Sequence, residues 1–363
     1  MANLSLPTTF YPPLDNNTQQ IRLLSFKDDG NFALEVFDLA DRPDYIALSY
    51  VWGSPDEVDE IIVNGRSFSI HQNLFLALRA IGWHLRNFAE GQGKNEKSKL
   101  RVSGRGMEVE TEIPEVQNAQ SAKDEDVALS PGRWKYFWID AICINQDDIP
   151  ERNSQVQRMG DLYTNASFVM VWLGPDVDES LAHISKFENG TLELYSTASD
   201  VEIAEDVTVK NFFGAAYWRR LWIIQEFVLA RTLLFVSDTR TIPLDVLMSK
   251  LWFNRDASVR RYPFVHTALS LRTSTRNVWL TLSSLLVSLG SHECLDKRDR
   301  VYGLLALVDW TGFRQPPIKA DYSLSAKQLY GLICTIYSSG VDAYYFTFVA
   351  KALGVEPNIA PDV

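Results

Sequence analysis

The chain has 363 residues, 46% hydrophobic and 22% charged, enough apolar material for a large core in two domains or in one domain with insertions. Lys and Arg number 35 against 46 Asp and Glu, and the net charge of −11 argues against broad binding to a nucleic-acid backbone, while a small nucleotide in a locally basic pocket stays open. The three cysteines, Cys143, Cys294 and Cys334, are odd in number and form no CxxC pair, which disfavours a disulfide framework and a structural zinc site and fits a reducing compartment.

The N-terminal stretch MANLSLPTTFYPPLDNN has no basic segment followed by an apolar run, so no secretory signal is expected. Residues 21–42 alternate apolar and polar around Asp28-Asp29-Gly30, predicting a hairpin. YIALSYVWG at 45–53 predicts a buried strand ending in a glycine turn, and EIIVNGRSFSI at 60–70 a second hairpin turning on Asn64-Gly65. The apolar spacing from Asn73 to Arg86 predicts a helix. Residues 90–131 lack aromatic residues and are dense in Gly, Lys, Glu, Ser and Gln, the composition of a disordered insertion.

Order resumes with the strand KYFWID, a polar loop, one helix over Glu151 to Ala166, and the strand SFVMVWLGP. The last is nearly all apolar, as in a parallel sheet covered on both faces. A variable region leads to about residue 210. A Trp-rich helix from Trp218 to Leu229 and the strand TLLFVS follow, and the remainder is helical in pattern. Its most apolar stretch, Trp279 to Leu289, is too short to cross a bilayer, so the protein is expected to be cytoplasmic, without a transmembrane segment. The expected divisions are an extended and hairpin segment over 1–44, a central domain over 45–239, and a helical region over 240–363.

Several polar residues stand in unusual places. Glu226 lies inside the apolar run LWIIQEFVLA, with Trp222 and Ala230 one helical turn either side. A carboxylate there either bonds to Arg219, Arg220 or a backbone turn, or lines a pocket. Ser49, Tyr50, Trp52 and Gly53 fall at the carboxyl end of a predicted strand, where open α/β sheets bind ligands. Trp52 suits stacking on a base or packing in the core. Asp140 ends the next strand and Asn145 follows in its loop; Asp140 can hold a ribose hydroxyl or cap the turn. Asp140, Asp147 and Asp148 are hard ligands for Mg²⁺, yet nothing in their spacing fixes a geometry, and no metal is expected. Cys143 as a nucleophile would need a base, and the five His are scattered, so it reads as core. Arg152 suits an anion, Glu151 or Asp148. Asp296 to Arg300 reads as a solvated charge cluster with Asp296 as a helix cap.

Four segments stand out, in this order: YIALSYVWG at 45–53; Trp138-Ile139-Asp140 through Cys143-Ile144-Asn145-Gln146-Asp147-Asp148 and Glu151-Arg152 to Trp172-Leu173-Gly174; Trp218-Arg219-Arg220-Leu221-Trp222-Ile223-Ile224-Gln225-Glu226; and DKRDRVYGLL at 296–305 with Asp321-Tyr322-Ser323 after it. Together they resemble the heterokaryon incompatibility (HET) domain of filamentous fungi, which is distantly similar to TIR domains. The resemblance implies an α/β fold: a flavodoxin- or TIR-like parallel sheet flanked by helices, with a mostly helical C-terminal extension. It also implies an effector of non-self recognition and programmed cell death.

Some TIR domains cleave NAD with a Glu in a Trp-x-x-x-Glu helix, matched here by Trp222 to Glu226. Glu226 is therefore the implied catalytic residue, with Ser49, Tyr50, Trp52, Gly53, Asp140, Asn145 and Trp222 around the ligand. NAD is implied as substrate rather than as a tightly bound cofactor. Self-association, or assembly with other HET or NLR-type proteins, is the implied partnership. The alternative is a non-catalytic interaction module that recruits another death effector.

Overall fold

The computed structural model describes residues 10–15, 18–91, 134–186, 207–250, 262–274, 280–311, 318–337 and 343–357. Most of the expected insertion at 90–131, and the centre of the variable region before 210, lie outside these residues.

Nine strands form one sheet: β1 (Gln20–Phe26), β2 (Phe32–Asp38), β3 (Ile46–Tyr50), β4 (Val58–Val63), β5 (Arg66–His71), β6 (Tyr136–Trp138), β7 (Phe168–Trp172), β8 (Leu233–Val236) and β9 (Thr241–Pro243). Their order is β5-β4-β2-β1-β6-β3-β7-β8-β9. The four central strands, β6-β3-β7-β8, are parallel. Numbered among themselves they stand 2-1-3-4, the beginning of the flavodoxin order, so the strand order reverses between β3 and β7. Every residue of β3, β7 and β8 is buried, as both faces of a covered parallel sheet require.

Antiparallel strands widen this core, so the sheet is mixed rather than wholly parallel. β1 pairs with β2 on one side and β6 on the other. The expected N-terminal hairpin is thereby an interior part of the sheet. β4 and β5 turn on Asn64 and Gly65, both at positive φ (52° and 74°), the pair of left-handed residues that a two-residue hairpin demands. The Asn64 amide also bonds to both backbone groups of Leu34 at 3.1 Å, fastening this hairpin to β2.

The helices are α1 (Gln72–Gly91), α2 (Asp140–Cys143), α3 (Ile149–Gln157), α4 (Met159–Asn165), α5 (Asp178–Ser185), α6 (Val207–Gly214) and α7 (Ile223–Leu229). The C-terminal region adds α8 (Leu244–Lys250), α9 (Pro263–Ser274), α10 (Leu282–Ser288), α11 (Asp299–Tyr302), α12 (Ala326–Ile336) and α13 (Ala343–Leu353). They pack around the sheet, α1 against β4 and β5, α7 against β3 and α8 against β8. No helix of the described residues is long and apolar enough to cross a membrane.

Two expected helices are divided. The helix over 151–166 breaks at Arg158, whose guanidinium reaches the Thr18 carbonyl (2.9 Å), and restarts as α4. The helix over 218–229 begins as a 3₁₀ turn at Ala216–Arg219 and breaks at Arg220, where the backbone is extended and bridges Glu293. The bond from Leu221 N–H to the Glu293 carbonyl (2.8 Å) competes there with helical pairing, so α7 starts only at Ile223.

Candidate functional site

The crevice at the strand reversal is where the motif residues meet. β3 delivers Ser49 and Tyr50 at its carboxyl end, and α7 packs against β3 with Glu226 facing it. Ser49 Oγ donates to Glu226 Oε2 at 2.5 Å and lies 2.9 Å from the Tyr217 hydroxyl, which supplies the second bond. Tyr163, on α4, donates to the Leu48 carbonyl at 3.3 Å and helps hold the charged form of Glu226. Ser49 is 0% and Glu226 2% exposed, so this group is closed to solvent.

Burial is the largest influence on Glu226 and pushes its carboxyl up to about 7. The positive charge of Arg220 opposes this, the negative charge of Asp140 adds to it, and hydrogen bonds from Ser49 and Tyr163 oppose it. A carboxyl poised near neutrality can hold or release a proton at working pH, a property shared by general acids and bases. Burial likewise raises the hydroxyl pKa of Tyr50, Tyr163 and Tyr217.

A second layer lies beside the first. Asp140, at the start of α2, accepts from Trp52 Nε1 at 2.9 Å and from the Ala141 N–H at 2.8 Å. The Tyr50 hydroxyl is buried beside Asp140, whose negative charge raises its pKa further. The Arg220 guanidinium donates to the Tyr50 carbonyl. Trp52 is held from behind by His71 Nδ1, 3.0 Å from its carbonyl, and its indole ring is half-buried. Gly53 has φ +86° and runs so close to α1 that a Cβ would meet the Cβ of Asn73 at 3.2 Å. Asn73 in turn bonds to the Val51 carbonyl (2.6 Å) and to Trp172 Nε1 (2.9 Å), locking the ends of β3 and β7 together.

Two predicted residues sit elsewhere. Asn145 lines a depression with Phe10, Phe68, Gln146 and Asp147, its N–H bonded to Glu151 at 2.7 Å. Trp222, directly before α7, turns its indole N–H to Asp299 Oδ2 at 3.0 Å. Glu226 forms no close ion pair with either neighbouring Arg: Arg219 pairs with Glu293 at 3.3 Å on the surface. Sequence reasoning missed Tyr163, Tyr217 and the position of Arg220, although Arg220 lies within the third motif and Tyr217 immediately precedes it.

Other sequence expectations are settled by packing. Cys143 is buried and its thiol is pushed up to about 12 by burial, which leaves it a core residue. Glu151 pairs with neither Arg152 nor a surface group. It forms a buried two-pronged ion pair with Arg22 of β1, at 2.6 and 2.8 Å, and Arg22 also donates to the carbonyls of Pro12 and Cys143. Asp148 caps α3 by accepting from the Glu151 N–H. Arg152 stacks over the Tyr322 ring, 3.7 Å from its centroid. The charge run at 296–300 is not a solvated cluster. Asp299 is buried between Trp222 and Tyr322, and Arg298 binds Asp296 together with the carbonyls of Tyr322 and Leu324.

Residues 91–226 match the family model described as Heterokaryon incompatibility protein (HET), a span that closes on Glu226 itself. The chain is also similar to "Heterokaryon incompatibility protein 6, OR allele" of Neurospora crassa, 28% identical over 386 aligned positions that take in 86% of this chain and 50% of that protein. Over residues 91–226 the chain is similar to a HET domain. It spans about half the length of that curated relative. No solved structure matches it. The HET-family match holds Asp140, Tyr163, Tyr217, Arg220 and Glu226, whereas Ser49 and Tyr50 come from β3, outside it. The cluster is therefore built across that boundary.

Proposed function

We propose that this protein is a HET-domain effector of fungal non-self recognition and programmed cell death, acting by hydrolysis of a nicotinamide nucleotide at Glu226. The observation that carries the reading is a carboxyl poised near pH 7, bonded to Ser49 where the parallel strands reverse order. In such a nucleotide the leaving nicotinamide is already cationic and needs no proton. One carboxylate that holds the ribose and stabilises an oxocarbenium-like transition state suffices. Arg220 offers a positive charge beside the cluster for a phosphate, and Trp52 an aromatic face for a base.

The closed arrangement is the resting state in this reading. A constitutive hydrolase of NAD would kill its host, so self-association, or contact with another HET or NLR-type protein in the cytoplasm, opens the site. NAD is a substrate here and no resident cofactor is invoked. The same sealing of Glu226, at 2% exposure, is the observation that favours a second reading: an interaction module in which the cluster only stiffens the fold.

The test is nicotinamide release from NAD by purified protein at high concentration with a crowding agent, beside Glu226→Gln. Release by the native chain alone establishes the enzyme. Absence of release from folded, assembled protein supports the interaction module. Equal release from both removes Glu226 from the chemistry.

A further inference from the structure

α7 has only seven residues, too few to be stable without support, and its terminal N–H and C=O groups need partners from elsewhere. Its middle is fixed by the bond between Glu226 and Ser49. Both of its ends are held by the C-terminal region.

At the leading end the Trp222 indole is tied to Asp299 at 3.0 Å, and the other Asp299 oxygen accepts from the Tyr322 hydroxyl at 2.7 Å. Gly303 gives the indole a flat seat: a Cβ there would stand 3.5 Å from the ring. The Tyr322 ring that completes this clamp lies under Arg152 and beside Arg298, whose guanidinium is 5.2 Å from its centroid. At the trailing end Arg272 of α9 donates to the carbonyls of Phe227 (2.6 Å) and Ala230 (2.7 Å), capping the last turn with a positive charge.

We infer that Asp299 and Arg272 are positioning residues that hold the Glu226 helix shut, and that the C-terminal region thereby governs access to the site. The consequence for catalysis rests on the hydrolase reading above; the mechanical statement does not. Loss of either clamp leaves α7 tethered at its other end, free to swing and draw Glu226 away from Ser49. An activating partner then needs to bind only the C-terminal region, displacing Asp299 or Arg272, to uncover the carboxyl.

Amide hydrogen exchange on the full chain tests this, comparing Asp299→Ala and Arg272→Met with the native protein. Exchange across residues 223–230 is expected to rise about tenfold or more, as loss of a hydrogen bond to a charged group implies, with β3 and β7 unchanged. An unchanged helix, or an equal rise in every segment, overturns the clamp. Trp222→Phe keeps a ring against Gly303 and deletes only the N–H, so it serves where the larger changes prevent folding; a rise of about fivefold confined to 223–230 is expected, and no rise there overturns the leading clamp. Nicotinamide release is scored separately. Local opening without release counts against the hydrolase and leaves the clamp standing.

Discussion

Replacing Glu226 by Gln should flatten one component of the protein's stability profile. The unfolded chain ionises this carboxyl at its ordinary value of 4.5, while the folded protein holds the proton up to about 7. The folded pKa is the higher one, so the stabilisation is complete below about pH 4.5 and is lost as pH rises through 7. The difference of 7 − 4.5 is 2.5 units, and at ~1.4 kcal/mol per unit the loss amounts to about 3 kcal/mol. The group is fully buried, so water does not screen it. Gln keeps the shape and the Ser49 bond but does not titrate. Urea unfolding followed by tryptophan fluorescence, from about pH 5 to about pH 8, should show the native protein losing roughly 2–3 kcal/mol relative to Glu226→Gln. Taking the difference cancels every group the two proteins share. Parallel profiles would refute the account and mean that the carboxyl is solvated or charged throughout.

Arg22→Ala should cost about 3–5 kcal/mol in the same assay, because it leaves the Glu151 carboxylate buried without its counter-charge; a loss below 1 kcal/mol would show the pair to be dispensable. Gly160→Ala should destabilise by about 1–3 kcal/mol, since the new Cβ would stand 2.4 Å from that of Ala306, and adding Ala306→Gly should recover most of the loss. Independent, additive effects of those two substitutions would mean that α4 and the 305–307 turn can part without strain.

Local signals were legible wherever burial or turn chemistry is local. The largely apolar run of β3, the all-apolar run of β7, the Asn64-Gly65 turn and the stretch that became α1 all carry their signal in the sequence. Ser49 and Glu226 could be singled out as polar residues in apolar surroundings, and they meet at 2.5 Å. Tyr217 could not, because a tyrosine beside tryptophans looks like ordinary core until β3 is laid against it. Arg22 gave no sign of its role: an Arg in a hairpin reads as solvated, and its partner lies 129 residues away. The break at Arg220 accompanies backbone pairing with Glu293, a distant contact that helical periodicity does not register. Asp299 shows the same limit, since charge density in DKRDR suggests water where packing supplies Trp222 and Tyr322.

The strand order has a consequence for how this protein comes together. The HET-family match over 91–226 contains β6 and β7, and these two strands are not neighbours: β3 runs between them. That stretch alone therefore holds no hydrogen-bonded strand pair among the described residues. β4 and β5 reach the parallel core only through β2 and β1. β3 pairs only with β6 and β7 among the described residues, so it joins the sheet through strands that come later in the chain. A fragment begun at residue 45 loses the β1–β2 splice, which splits the sheet in two and lays bare the edge of β6, an invitation to pair with another chain.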